Sequence, residues 1–254
     1  MVVDIGEKIQ EAIDIQEVFK LSIGKFNIVI TDTMVSMWIV MILLTVLGYV
    51  FSRNLKTIPD KKQSLLEVCV EYVGKFCESS MGHYWRAFTP YIGTLALFII
   101  VSNMLGILNI LPTGKDLYNL TKIEFFNRIP FYVITPPTRD INVTAALAIV
   151  TILVVIGSAV YYKGFGGWLK GLCKPTPLLF PINILELCIK PLSLCLRLFG
   201  NILGAHIVVE IVYALCPAII PIPLSAYFDL FDGVLQAYIF VFLTTIYIGE
   251  GLED

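Results

Sequence analysis

Arg197 stands between Leu196 and Leu198 in the run Pro191-Leu-Ser-Leu-Cys-Leu-Arg-Leu-Phe-Gly-Asn201. A guanidinium cannot shed its proton to enter hydrocarbon, and its insertion costs from about 2.5 to over 10 kcal/mol by different measures. Such a charge is kept at membrane depth when a function needs a fixed cation facing a watery or protein-lined cavity. Glu186, Lys190, Arg197 and Asn201 are separated by four, seven and four residues, so on a helix all four share one stripe. His206 lies nine residues past Arg197, about half a turn from that stripe, and Glu210 comes four later. In the next apolar segment Asp229, Asp232 and Gln236 are spaced by three and four, again one stripe. The chain turns near Pro217 to Pro223, so an encounter of His206 with Asp229 is compatible with their offsets from the turn. Ionisable groups at membrane depth are the parts of ion paths and proton relays.

Plainer readings exist for each. Lys190 can reach to an interface along its apolar stem, and Glu186 can pair with it one turn away. Asp229 and Asp232 suit a helix start, His206 suits a satisfied core imidazole, and Arg197 suits a structural salt bridge. The six cysteines form no Cys-x-x-Cys pair and read as small buried hydrophobes. With His83 and His206 far apart, no metal site is expected.

The elements that must position these residues are apolar. Of the 254 residues 57% are hydrophobic and 15% charged, with a mean hydropathy of +0.82. Soluble domains carry about 25% charge, so an integral membrane protein is indicated. A net charge of −2 offers no field for nucleic acid. The amino terminus, Met1 to Phe26, mixes acidic and apolar residues and lacks the pattern of a signal peptide. It is expected to be a short surface helix within an N-terminal surface segment, residues 1–30, before a single membrane domain, residues 31–254.

Spans are predicted at about 34–51, 90–111 and 142–162. Arg53, Lys56, Lys61 and Lys62 come after the first, which places that loop in the cytoplasm and Met1 outside by the positive-inside rule. Leu66, Val70, Val73 and Cys77 recur at helical spacing opposite Glu67, Glu71, Lys75 and Glu78, predicting an amphipathic helix on the cytoplasmic surface. The polar stretch Lys115 to Asp140 belongs outside on alternation. Gly164, Gly166, Gly167 and Gly171, among Lys163, Lys170 and Lys174, read as a cytoplasmic linker, since no Gly-Lys-Ser/Thr is present to make a phosphate loop.

Residues 178–216 are apolar throughout, and as one helix they would extend about 58 Å against about 30 Å of hydrocarbon. Either Pro191 breaks that helix or it lies strongly tilted. Residues 224–249 return as another long apolar segment, with Pro217, Pro221 and Pro223 making the turn, and the acidic tail Glu250 to Asp254 is expected to be solvated. The fold class is thus all-α, with about five membrane-embedded helices plus the amphipathic one. No internal repeat is visible.

Leu194-Cys-Leu-Arg-Leu-Phe-Gly-Asn201 resembles the signature of the a subunit of F-type rotary ATP synthases, the stator channel beside the ring of c subunits. Leu235-Gln-Ala-Tyr-Ile-Phe-Val-Phe-Leu-Thr-Thr-Ile-Tyr247 resembles that family's last helix. Asp140-Ile-Asn-Val-Thr144 and Lys163-Gly-Phe-Gly-Gly167 add to the likeness in the same order. The resemblance implies that Arg197 is the family's essential arginine facing a rotor carboxylate, flanked by Asn201 and Gln236, and that the last two segments form a steeply tilted antiparallel hairpin around the rotor. It also implies an ion-access relay of His206 and Asp229, exchanged in place as in mitochondrial relatives, with Glu186, Glu210 and Asp232 along the ion pathway.

The same resemblance implies a non-catalytic subunit of a complex that makes or hydrolyses ATP elsewhere. It would work without a cofactor, moving H⁺ or Na⁺, in a bacterial plasma membrane with its C-terminus cytoplasmic. Its partners would be the c ring, the b-subunit peripheral stalk, the rest of the synthase and the lipid. Two rivals are a secondary transporter whose buried arginine binds an anionic substrate, which the missing repeat disfavours, and an intramembrane transferase holding Mg²⁺ on Asp229 and Asp232, which lacks a richer carboxylate cluster.

Overall fold

β-Branched residues decide the first element. The computed structural model describes residues 17–23, 26–53, 56, 59–106, 135–173, 176–215 and 221–252. Strands β1 (Glu17–Ile23) and β2 (Phe26–Thr31) pair antiparallel, with Leu21 opposite Ile28 and Ile23 opposite Phe26. The surface helix expected across Met1 to Phe26 is therefore wrong over Glu17–Ile23 and at Phe26. The run Ile28-Val-Ile-Thr31 has stiff side chains that lose freedom on a helix and fit a pleated ribbon. Residues 1–16 lie outside the described part.

Seven α-helices come next among the described residues. Helix α1 (Asp32–Ser52) is 21 residues long, about 31 Å at 1.5 Å per residue, which matches the hydrocarbon thickness. Asp32 receives the Thr33 N–H on Oδ1 at 2.8 Å and puts a negative charge at the positive end of the helix dipole. Helix α2 (Lys61–Met81) is the predicted amphipathic element: Cys77 is buried while Glu67, Glu71, Lys75 and Glu78 are exposed. A 3₁₀ turn at Gly82–Tyr84 leads into α3 (Trp85–Met104), which starts five residues before the predicted span and passes Pro90 without a break. Ile107 to Leu111, the predicted end of that span, lie outside the described residues.

Helix α4 covers Ile141–Leu172 and continues through the glycine-rich stretch. The expected linker is thus corrected to helix with one kink, at Gly164, whose φ of 72° is open to glycine at no steric cost. Helix α5 runs unbroken over Phe180–Leu215 with Pro191 inside it, so the proline does not divide the segment. Helix α6 (Pro221–Ala226), a π-helical turn (Tyr227–Asp232) and α7 (Gly233–Leu252) then succeed one another. Pro221 and Pro223 sit in the first turn of α6, where a missing N–H breaks no helical bond, rather than in a loop. Among the described residues five stretches are long and apolar enough to cross a membrane: Asp32–Ser52, Gln63–Met104, Ile141–Leu172, Pro177–Val209 and Pro223–Leu252. The chain is an all-helical integral membrane protein apart from its short ribbon.

The chain forms two compact units. One contains Met1–Met41, Ile99–Asp140 and Phe199–Gln236, the other Ile42–Phe98, Ile141–Leu198 and Ala237–Asp254. The interior of the second is mainly apolar: Ile92, Leu194, Leu198, Phe240 and Ile248 are all but fully buried. Phe76 of α2 meets Tyr238 and Phe242 of α7 there, with ring centroids 6.0 Å apart in both cases. Its buried hydroxyls mostly bond backward within their own helices, Thr151 to Leu147 O at 2.9 Å and Thr245 to Val241 O at 2.7 Å, which satisfies them in an apolar setting. The first unit buries Val40, Ile99 and Leu105, but also Thr33, Ser36, Ser102, Asn103, Thr135, Thr138, Asp140 and Gln236. Its interior is polar.

Candidate functional site

Helix α5 carries two cations whose surroundings differ. In the second unit Lys190 Nζ lies 2.9 Å from Glu186 Oε1 and 2.6 Å from Glu250 Oε2, and 4.9 Å from the centroid of the Tyr247 ring. Its side chain is only 15% exposed, whereas Glu186 and Glu250 keep 53% and 50%. Lys190 therefore is tethered rather than reaching to an interface. Glu250, expected in a solvated tail, belongs to α7 and is tied to α5. The three charged groups border a cavity of about 700 Å³ that Lys163, Asn183 and Tyr247 also line.

Arg197 is exposed. Leu194, Cys195 and Leu198 turn into the unit's core, and Thr144 meets the Cys195 sulfur at 3.6 Å. The 3.6-residue period then leaves Leu196, Arg197 and Gly200 on the outward side. No ion pair or hydrogen bond among the described residues holds the guanidinium, so the structural salt bridge is not found.

In the first unit α5 continues with Asn201 and His206. Asn201 Nδ2 donates to Asp232 Oδ2, and Asp229 Oδ2 accepts from Ser225 Oγ at 2.9 Å. Both aspartates lie in the π-helical turn. Asp229, Asp232 and Gln236 all fall on the less exposed side of this segment, whereas Leu230, Phe231, Val234 and Leu235 are exposed, and both aspartates lie within a continuous helical run rather than at its start. Gln236 is 4% exposed and its Nε2 has no partner among the described residues. His206 is half-buried, and the charge that bears on it is that of Arg139. No hydrogen bond or ion pair joins His206 to Asp229 among the described residues. The Glu210 side chain lies outside them, and no group of three metal-ligating residues occurs within them.

Two polar groups in the first unit, one of them bound to the residue that follows the π turn, were not singled out from sequence. Asp32 accepts from the Thr135 hydroxyl, and Thr33 Oγ1 donates to Asp140 Oδ2 at 3.1 Å. Thr138 Oγ1 donates to Asn103 Oδ1 at 2.8 Å, and Asn103 Nδ2 donates to Gly233 O at 2.8 Å. The available signal was the interruption of an apolar span by Ser102 and Asn103. What that interruption touches depends on packing.

The polar positions fall inside a match to a known family. A family model described as ATP synthase A chain covers residues 34–249. This chain belongs to the ATP synthase A chain family. It is 34% identical over 235 residues to the sodium ion specific ATP synthase subunit a of Propionigenium modestum, a match that covers 92% of this chain and 78% of that protein. The resemblance read from the arginine motif and the last helix is thereby borne out. Members of the A chain family are the ion-translocating subunit of the synthase's membrane sector, and the five apolar spans suit that setting. The family match begins after the β-ribbon and takes in every ionisable position of α5 and the π turn.

Proposed function

We propose that the chain is the stator half of a rotary ion path, with two half-channels that reach a ring of c subunits at different angles and Arg197 between them. The observation that carries this reading is a permanently charged side chain in a membrane span, exposed and without a partner among the described residues of its own chain. A rotor carboxylate arriving in front of Arg197 supplies the missing counter-charge. The guanidinium favours its ionised form and so the release of its cation. The same charge blocks leakage, because a cation passing straight from one half-channel to the other must approach a fixed positive group in low dielectric. Each elementary charge crossing 100 mV supplies about 2.3 kcal/mol, so several must pass per ATP.

Asn201, His206, Glu210, Asp229, Asp232 and Gln236 line one access path, extended by buried Thr33, Asn103, Thr138 and Asp140 and by half-buried Asp32. Unpartnered Ser102 and Gln236 atoms are places for ordered water. Glu186, beside the cavity bordered by Lys190 and Glu250, belongs to the other path. The mobile ion is H⁺ or Na⁺; the relative from Propionigenium modestum is named for sodium, and stimulation of ATP hydrolysis by sodium in the intact complex tells the two apart. The subunit itself catalyses no bond change and needs no cofactor. It sits in a bacterial plasma membrane beside the b-subunit stalk, N-terminus outside and C-terminus cytoplasmic.

The test is reconstitution of the complex in sealed vesicles. Arg197→Ala abolishes ATP-driven ion pumping and permits a passive, rotor-dependent leak. Coupled pumping by that variant would remove the mechanism.

A further inference from the structure

Gly106 lies two residues beyond the end of α3 and is buried. A Cβ built on it would stand 2.7 Å from Asp229 Oδ1, 2.9 Å from Cγ and 3.3 Å from Oδ2. The whole carboxyl group therefore lies against the bare backbone of residue 106. Ser225 holds Oδ2 from within the adjoining helix, at 2.9 Å. One helical turn earlier, Asn103 binds the carbonyl of Gly233 at 2.8 Å, and a Cβ on Gly233 would come within 3.0 Å of Asn103 Cβ. Both ends of the π turn thus rest on the same short segment, Asp229 on Gly106 and Gly233 on Asn103. Two glycines, one from each side, allow the approach.

We infer that Gly106 is a positioning residue for the ion path: the absence of its side chain creates the seat in which the Asp229 carboxylate is held. This rests on the stator reading above, and it adds that the path needs a carboxylate at one point in space, whichever helix supplies it. Residues larger than glycine at 106 must push the carboxyl group aside, since contacts under 3.0 Å are not tolerated and the π turn is pinned at Gly233. An aspartate at 106 would project its own carboxyl group into the volume that Asp229 occupies.

The experiment compares Gly106→Ala, Asp229→Ala and the relocated pair Gly106→Asp with Asp229→Ala in the intact complex, reading assembly by co-purification and ATP-driven pumping in vesicles. Gly106→Ala is expected to lower pumping by about a hundredfold, the scale of an ångström-sized misplacement of a reacting group. The relocated pair is expected to recover most of what Asp229→Ala loses, a gain that repacking alone does not produce. Pumping by Gly106→Ala at the parent rate would overturn the inference. So would a relocated pair no better than Asp229→Ala, including one that fails to assemble. If Gly106→Ala itself does not assemble, the relocated pair decides. Arg197→Ala run alongside separates the two readings: coupled pumping there sinks the stator mechanism, whereas its loss together with normal pumping by Gly106→Ala sinks only the seat for Asp229.

Discussion

Two cations seven residues apart on α5 have opposite electrostatic fates. Lys190 is bound by two carboxylates of its own chain, and Arg197 is left without one among the described residues. Under the stator reading proposed above, the counter-charge that Arg197 lacks among the described residues comes from a rotor carboxylate, whereas Lys190 already has its own. Glu186 and Glu250 are half-exposed and can rehydrate, so Lys190→Met should cost only about 1 kcal/mol, well below the roughly 3–5 kcal/mol of a fully buried pair. Thermal inactivation of the purified complex measures this, and raising the salt should narrow the gap to the parent. Arg197 was legible in the sequence because charge within an apolar run is a local signal. The tie from Lys190 to Glu250 was not, since it spans 60 residues of chain and depends on which helix ends meet.

Among the elements, the π-helical turn is the one that helical periodicity does not announce. Asp229, Asp232 and Gln236 keep to its less exposed side, and its wider winding is visible only in the backbone. The turn is held from outside by Asn103, which bonds both the Gly233 carbonyl and the Thr138 hydroxyl while 5% exposed. Asn103→Ala leaves buried polar groups without partners, and about 2 kcal/mol of stability should be lost. Pumping should fall more than in Lys190→Met, whose contacts lie elsewhere; equal pumping losses in the two variants would argue that the turn has no special part in ion movement. Helix α5 carries the same lesson, for Pro191 did not end it, whereas α4 is interrupted at Gly164, whose backbone is not helical. Neighbouring turns of apolar sequence sustain a helix through such residues when tertiary packing supports it.

At the scale of the molecule, the two units differ in what they bury. Among the described residues one buries mainly Leu, Ile, Val, Phe and Ala with a few hydroxyls, and the other buries Thr, Ser, Asn, Asp and Gln beside only Val40, Ile99 and Leu105. Buried polar groups in a membrane protein have no lipid partner and must bond to one another or to water. The polar unit is therefore the one expected to admit water. In a background without the native cysteines, Ser102→Cys and Thr138→Cys should react with a small hydrophilic thiol reagent in intact membranes, while Thr244→Cys, buried in the apolar unit, should not. Equal protection of all three would remove the water-filled path from the polar unit.

Hydropathy and residue spacing alone were enough to indicate a membrane protein, the positions of most of its spans and a charge at Arg197 set within an apolar run, while the family was read from the likeness of the arginine and last-helix motifs to a known family. Those properties are written in stretches of ten to twenty residues, short enough for burial cost and helical period to act directly. The ribbon over residues 17–23 and 26–31, the π turn, the lack of a bond between His206 and Asp229 among the described residues and the seat that Gly106 makes for a carboxylate became visible only in three dimensions. Each depends on groups brought together by packing, as Asn103 and Gly233 are across 130 residues, and no local pattern encodes which distant backbone will come close enough to exclude a methyl group.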